Sequence, residues 1–170
     1  AFVEMFGDPI INPNNYPKIL FGELGTLDRG KSKHRPRNDP RLLGGNHPLI
    51  QTGEIRSADL FVDTFTSTYS DFGLAQSRKW PEGTLAITIA ANIAESAILG
   101  IEACFPDSIV GFTPNSVSNS VFIKAQLDFL KDRISEVAPQ SAQKNINLKI
   151  LREIPMICPP VEMQEQFEDF

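Results

Sequence analysis

Hydrophobic residues along most of this chain are spaced as in short β-strands. Between residues 83 and 91, Leu85, Ile87 and Ile89 alternate with smaller residues, which is the period of a strand. Residues 48–53 are expected to form a short strand that ends in a turn at Gly53. Further strands are predicted over residues 16–24, 96–103, 108–112 and 154–157.

The spacing changes to a helical one near residue 120. Apolar side chains recur every three or four residues over residues 124–137, at Leu127, Leu130, Ile134 and Val137. Pro139 is expected to end this helix, and residues 145–151 to form one further helical turn. The fold class predicted from these elements is α+β, a curved and mostly antiparallel sheet with a few packed helices.

Both ends of the chain have the pattern of helices. Residues 2–6 are mostly apolar and precede Gly7 and Pro9, as at the end of a helix. Pro159 and Pro160 precede a second apolar run, as at the start of one. We therefore expect a helix end over residues 1–7, one domain over 8–158, and a helix start over 159–170, as in a module of a longer protein.

The composition is that of an ordinary globular chain, with 41% hydrophobic and 22% charged residues and a net charge of −5. Cys104 and Cys158 stand 54 residues apart without a neighbouring Cys or His, so neither a zinc site nor a disulfide framework is expected. Two reduced thiols and the lack of a signal-peptide pattern predict a cytoplasmic protein.

Charge is distributed unevenly. Residues 29–41, called the basic segment below, contain six of the sixteen Lys and Arg residues and one acid. The segment is therefore about +5 and the remaining residues about −10, which favours a polyanion-binding edge on an acidic body. Gly30, Pro36 and Pro40 indicate an exposed loop. The alternative is a mobile surface loop that binds nothing.

No catalytic, metal or cofactor site is predicted. Residues 12–15 (NPNN) lack the second Pro and the aromatic residue of an amino-methyltransferase motif. No Gly-rich loop follows a strand, and neither His34 nor His47 has a spaced nucleophile or carboxylate partner. Catalysis by this chain alone is therefore not expected.

Six segments, in order, resemble the target-recognition domain of the specificity subunit of type I restriction–modification systems. They are FVEMFGDP (2–9), PLIQTGEI (48–55), GTLAITIAANI (83–93), AIL (97–99), ACFPDSIVGF (103–112), and QKNINL (143–148) with Ile154-Pro155. One departure lies at Ala94-Glu95, where the family often has Gly followed by Lys or Glu. Because Ala disfavours a positive φ, we expect the turn after Ile93 to differ from the family's usual form.

The resemblance implies a function in DNA recognition. Such a domain reads one half of a bipartite double-stranded DNA sequence, and the helical ends at 1–7 and 159–170 belong to spacer helices. The partners implied are modification (methyltransferase) subunits and a restriction (motor–nuclease) subunit. Methyl transfer and cleavage belong to those partners.

Within that function, several polar residues become candidates for DNA contact. Cations can neutralise phosphates, Arg can pair with guanine, and Gln can pair with adenine. The candidates are Lys31, Lys33, His34, Arg35, Arg37, Arg41, Gln51, Thr52, Arg78, Lys79, Ser141, Gln143, Lys144 and Asn145.

Several of these assignments have structural alternatives. His34 can be a passive surface residue, residues 51–53 a plain solvated turn, and Arg78 a residue that stacks on Trp80. Two other functions also stay open. The chain can be the recognition half of a fused methyltransferase–nuclease, or a module that docks a partner subunit without binding DNA.

Overall fold

The computed structural model describes residues 1–90, 92–137 and 146–170. Within these ranges the chain forms eleven strands, six α-helices and two 3₁₀ turns. The strands make three sheets rather than the single sheet expected from the sequence, but the α+β class with mostly antiparallel pairing is confirmed.

The central sheet has five strands and is antiparallel except at one edge, where β4 runs parallel to β8. In spatial order its strands are β2 (Gly25–Arg29), β10 (Ile109–Pro114), β7 (Leu85–Thr88), β8 (Ser96–Leu99) and β4 (Phe61–Val62).

The second sheet has four strands. In spatial order they are β5 (Ser67–Tyr69), β3 (Leu43–Leu49), β9 (Ala103–Cys104) and β6 (Lys79–Trp80). A separate antiparallel pair joins β1 (Lys18–Leu20) to β11 (Pro155–Ile157) near the two ends of the chain.

The helices are α1 (Phe2–Phe6), α2 (Thr52–Ser57), α3 (Asp71–Ala75), α4 (Ser120–Val137), α5 (Leu148–Arg152) and α6 (Val161–Glu168). The 3₁₀ turns are Phe21–Glu23 and Pro40–Leu42. Asn119 accepts hydrogen bonds from the backbone N–H groups of Val121 and Phe122, at 3.0 and 3.1 Å, and so caps the start of α4.

The middle strands of the central sheet, β10, β7 and β8, are buried on both faces. Leu85 and Ile87 of β7 pack with Phe122 and Leu127 of α4 in the main core. On the other face, Ala86 of β7 belongs to a second cluster, together with Trp80 and Phe105. The alternation predicted for β7 is therefore real, but it separates two cores instead of separating a core from solvent.

Several of the predicted elements are confirmed. Leu127, Leu130 and Ile134 lie on the buried face of α4, as expected from their spacing. The helices predicted at the two ends correspond to α1 and α6, and the strand over residues 154–157 corresponds to β11. Val137's side chain and Pro139 lie outside the described residues.

Two local predictions are wrong, and one strand was not predicted. Residues 48–53 do not form a strand with a turn, because the strand β3 ends at Leu49 and α2 begins at Thr52. Residues 16–24 split into β1 and a 3₁₀ turn. No strand is predicted over residues 25–29, and these residues form β2 through pairing with β10, a partner more than 80 residues away.

The expectation that Ala94 avoids a positive φ is also wrong, since its φ is 65°. This conformation is fixed by hydrogen bonds to Thr88. The Ala94 N–H donates to the Thr88 carbonyl at 2.8 Å, and the Glu95 N–H donates to Thr88 Oγ1 at 3.1 Å. Tertiary hydrogen bonds thus offset the local preference of Ala.

Candidate nucleic-acid interface

The basic segment crosses from one sheet to the other. It begins on Arg29, the last residue of β2, and ends in the 3₁₀ turn that precedes β3. Its start is packed against the connection between β9 and β10, and the Gly30 N–H donates to the carbonyl of Ile109, the first residue of β10, at 2.8 Å. A Cβ at position 30 would overlap the carbonyl oxygens of Phe105 and Pro106, so only Gly fits there.

The middle of the segment is attached to the end of α3. Gln76 accepts a hydrogen bond from the Lys33 N–H on its backbone carbonyl at 3.3 Å, and one from the His34 N–H on its side chain at 2.9 Å. The Gln76 Nε2 in turn donates to the Gly73 carbonyl at 2.8 Å. The segment is therefore held to the fold at its start and at its middle.

Asp39 binds two of the predicted contact residues. The Arg41 guanidinium binds its carboxylate, with Nη2 and Oδ2 at 2.8 Å, and His34 Nε2 lies 2.8 Å from the same oxygen. The Arg41 side chain, its backbone N–H and the His34 ring together hold the pKa of Asp39 well below its usual range. The carboxylate likewise raises the pKa of Arg41.

The other cations of the segment differ in their pairing. Arg37 forms an ion pair with Asp107 at 2.9 Å. Arg35 donates to the backbone carbonyls of Ser32 and His34, at 2.6 and 3.0 Å, contacts that leave its positive charge uncompensated. Lys31 and Lys33 are exposed and have no ion pair within residues 1–90, 92–137 and 146–170. Among the described residues, Arg29 likewise donates only to a backbone carbonyl, that of Asp107, at 3.2 Å. The uncompensated charge is thus carried by Lys31, Lys33 and Arg35, with Arg29 at the start of the segment.

A cleft of about 240 Å³ lies beside the basic segment. It brings together residues that are far apart in the sequence, from the basic segment, the start of α2 and the β5–α3 region. Its lining comprises Ser32, His34, Arg37, Leu42, Leu49, Gln51, Thr52, Tyr69, Gln76, Pro106 and Ser108. Four of the predicted contact residues, His34, Arg37, Gln51 and Thr52, therefore line one cavity.

Gln51 and Thr52 reach the cleft because α2 starts at this point. Gln51 is the N-cap residue of α2, but its side chain makes no capping hydrogen bond. The side chain is exposed, so its amide is available to a ligand. Ile55, in the same helix, is buried in the second core and fixes the orientation of this short element.

Gln76 was missed by the sequence analysis, and no local pattern identifies it. Its contact with His34 spans 42 positions of the chain. Tyr69 lies buried in the wall of the cleft, and this burial raises the pKa of its hydroxyl. The sequence feature that could have indicated α3 is Ser70, a residue type common at helix starts. It caps this helix by accepting a hydrogen bond from the Gly73 N–H at 3.1 Å.

Arg78 and Lys79 do not line the cleft. The Arg78 guanidinium stacks over the Trp80 ring, 3.8 Å from a ring centroid, and lies 3.9 Å from Asp28. Lys79 Nζ lies 3.0 Å from His47 Nδ1 and 3.6 Å from Glu102. These cations thus take part in contacts within the fold.

The remaining candidates, Ser141, Gln143, Lys144 and Asn145, lie outside the described residues. Among the described side chains, no cluster of three or more His, Cys, Asp or Glu residues is arranged to hold a metal ion. Cys104 and Cys158 are free and buried, and burial raises the pKa of both thiols. No helix in the described part of the chain has the length and apolar character needed to cross a bilayer.

The family model described as type I restriction modification DNA specificity domain matches residues 13–170. The fold is similar to that of the HsdS subunit from Thermoanaerobacter tengcongensis, with a TM-score of 0.72 and 18% sequence identity. That match covers 97% of this chain and 39% of the other, so this chain spans well under half the length of that subunit.

Two further solved structures have a similar fold. One was determined to explain complex assembly and conformational transition of the type I R-M system, and matches with a TM-score of 0.72 and 18% identity over 91% of this chain and 37% of that one. The other is the type I restriction–modification S subunit from M. genitalium, with a TM-score of 0.59 and 14% identity over 86% and 35% of the two chains.

Proposed function

The chain belongs to the family of type I restriction–modification DNA specificity domains, and from this premise we propose that it reads one half of a bipartite double-stranded DNA sequence. It acts as a recognition domain and carries no catalysis of its own. Methyl transfer and cleavage take place on the partner subunits of the complete system.

The observation that carries this proposal is the position of the cations around the cleft. Lys31, Lys33 and Arg35 alternate along the chain with Ser32 and His34, which line the cavity. Uncompensated cations suit phosphate oxygens, which position a protein on DNA without reading its sequence. Gln51 and Thr52, at the start of α2, supply hydrogen-bonding groups that can distinguish bases.

Arg37 is paired with Asp107 and Arg41 with Asp39, and this pairing gives the two arginines a different role in DNA recognition. An Arg that is held in place by a carboxylate has lost much of its rotamer freedom before DNA arrives. Arg37 also lines the cleft beside the free amide of Gln51. We assign these two guanidinium groups to base edges or specific phosphates and the unpaired cations to general backbone contact.

The helical ends are assigned to partner assembly. Phe2 and Phe6 of α1 each lie 5.7 Å from Phe167 of α6, measured between ring centroids, so the two end helices pack together. We propose that residues 1–7 and 159–170 belong to the spacer helices of a specificity subunit, with the recognition domain at 8–158. Modification subunits and a restriction subunit would assemble around such helices, in the cytoplasm where the DNA is.

The test is equilibrium binding to a labelled pool of random-sequence duplexes, by fluorescence anisotropy, over a series of salt concentrations. Three phosphate contacts predict a log–log slope of about −3, at about 0.9 per contact. Sequencing of the bound fraction should then return one short half-site. A folded chain that binds no duplex at low salt, alone or joined to its spacer helices, would contradict the proposal and favour a docking module.

A further inference from the structure

The cleft beside the basic segment is concave, and this shape restricts what can enter it. Its floor includes Leu42 and Leu49, whose exposed fractions are only 1% and 5%, while Gln51 at the rim is exposed. A protein reads base edges in the major groove by inserting a protruding helix or ribbon. Base edges inside a groove cannot reach a floor that lies below the protein surface, so the group that fills the cleft must project from the duplex.

The lining of the cleft combines apolar surfaces with a polar edge. Leu42, Leu49 and Pro106 offer apolar contact, and Ser32, Gln51 and Thr52 offer hydrogen bonds. Arg37 and His34 in the lining are already in contact with Asp107 and Asp39, and a phosphate would gain nothing from the leucines. A nucleobase is planar, with faces that pack on apolar side chains and an edge that forms hydrogen bonds.

The hydroxyl of Ser32 is an independent indication of a ligand. Ser32 is 7% exposed, and its Oγ is buried without a hydrogen-bond partner in the part of the chain that the structure describes. Leaving a buried hydroxyl unsatisfied costs about 1–3 kcal/mol. Because Ser32 lines the cleft, a ligand edge that reaches it would remove this cost.

The volume sets the size of the occupant. Pockets for drug-sized molecules measure roughly 300–1,000 Å³, and this cleft measures about 240 Å³. One base fits such a space, and a dinucleotide does not. Gln76, whose side-chain amide is already satisfied by His34 and Gly73, forms a fixed wall.

We propose that this cleft accepts a single nucleobase that has swung out of the DNA duplex. The inference rests on the proposed function, because it places the duplex on the basic segment, with Lys31 and Lys33 on the phosphates that flank the extruded nucleotide. Ser32, Gln51 and Thr52 bind the edge of the base. Leu42, Leu49 and Pro106 contact its faces.

The test compares two duplexes of the same sequence, one fully paired and one with a single unpaired base as a bulge. Extrusion from a paired duplex costs a few kcal/mol, and least when the base is already unpaired. We expect the bulged duplex to bind at least tenfold more tightly than the paired one, at equal salt.

Variants then locate this preference in the cleft. Ser108→Leu fills the cavity and leaves every cation of the basic segment in place, so it should abolish the preference for the bulge while affinity for the paired duplex stays within about twofold. Ser32→Ala removes only the unpaired hydroxyl and should reduce the preference severalfold. Ser57→Leu, on an exposed serine at the end of α2 and outside the cleft, is the matched control and should change neither affinity.

Equal affinity for the two duplexes would overturn the inference while leaving the proposed function standing. A preference that survives Ser108→Leu in a folded variant would also overturn it, because the bulge would then be recognised elsewhere. Competition by inorganic phosphate at constant ionic strength, without any preference for the bulge, would assign the cleft to an anion instead. Failure to bind either duplex would refute the proposed function itself, and the inference with it.

Discussion

The side-chain oxygen of Gln76 accepts a hydrogen bond from the backbone N–H of His34 at 2.9 Å. The nitrogen of the same amide donates to the Gly73 carbonyl at 2.8 Å. One side chain thus connects α3 to the centre of the basic segment, and both ends of its amide are used. The order of the proposed DNA-binding surface depends on this contact.

Replacement of Gln76 is therefore expected to loosen the basic segment. In Gln76→Ala the His34 N–H and the Gly73 carbonyl lose their partner, which should lower the free energy of unfolding by about 1–3 kcal/mol. Amide hydrogen exchange at His34 should accelerate by at least tenfold, and duplex affinity should fall. Gln76→Glu keeps the acceptor for His34, so its effect should be intermediate.

Gln51→Ala provides the control, because its exposed side chain makes no capping bond. It should leave exchange at His34 unchanged even where it alters DNA binding. Unchanged exchange in Gln76→Ala would show that the segment is held by its other contacts.

The unpaired cations are expected to dominate the salt dependence of binding. Replacing Lys31, Lys33 and Arg35 together with Ala should lower duplex affinity at least tenfold. It should also reduce the slope of log affinity against log salt by about 2.7, at about 0.9 per phosphate contact. Anisotropy titrations from low to moderate salt measure both quantities.

A control with the same change in charge is available elsewhere in the fold. Lys18, Arg133 and Lys149 are exposed cations outside the basic segment and the cleft. Their replacement with Ala should leave the slope within about 0.5 of the original. If both triple variants lost duplex affinity and salt slope to the same extent, binding would depend on net charge alone.

Asp39 is expected to make the free energy of unfolding depend on pH in the acid range. Its pKa in the folded protein lies below the unfolded value of about 4. The stability that it provides is therefore complete above about pH 5 and is lost as the pH falls below about 4, towards the folded pKa. In urea titrations, Asp39→Asn should differ in stability from the wild type above about pH 5, and the difference should shrink below about pH 4.

Asp59 provides the comparison, since it is exposed and has no ion pair within the described ranges. Asp59→Asn should show no such pH dependence. If the difference between wild type and Asp39→Asn grew as the pH fell, the assignment of its partners would be wrong.

Replacement of Ala94 by glycine is expected to lower the free energy of unfolding less than the same replacement at a nearby alanine. A left-handed conformation costs a residue other than glycine about 1–2 kcal/mol. Ala94→Gly recovers this energy and loses about as much through methyl burial and chain entropy. Its net effect on the free energy of unfolding should be within about 0.5 kcal/mol of zero.

Ala97, in β8, is buried to the same extent as Ala94. Its φ is not positive, so Ala97→Gly should cost about 1–2 kcal/mol in chemical denaturation. If Ala94→Gly and Ala97→Gly lowered the free energy of unfolding by similar amounts, this would argue against the left-handed turn at Ala94.

Elements with a repeated apolar period or a proline boundary could be predicted from the sequence. The helix α4 has apolar side chains at helical spacing, and α6 follows Pro159 and Pro160. The short elements could not. The strand β3 pairs with β9 through Leu49 and Cys104, 55 residues apart, and α2 has six residues of which Ile55 alone is buried. Such elements depend on tertiary packing, which local propensity does not encode.

The candidate site was predictable as a list of residues and not as a cavity. Local charge density identified the basic segment, but the contacts of Asp39 with His34 and Arg41, and of Asp107 with Arg37, became evident only in the structure. The cleft joins residues 32, 51, 76 and 108, and its shape depends on all of them. No periodicity in the sequence links these positions.

The way the basic segment is attached also bears on how its affinity for DNA can evolve. Its bonds to the fold at Gly30 and Lys33 use the backbone, and the bond at His34 uses the backbone N–H of that residue. The side chains of Lys31 and Lys33 take no part in them. Mutations at these positions can therefore alter DNA affinity at little cost in folding, so the strength of backbone contact can be tuned on an unchanged scaffold.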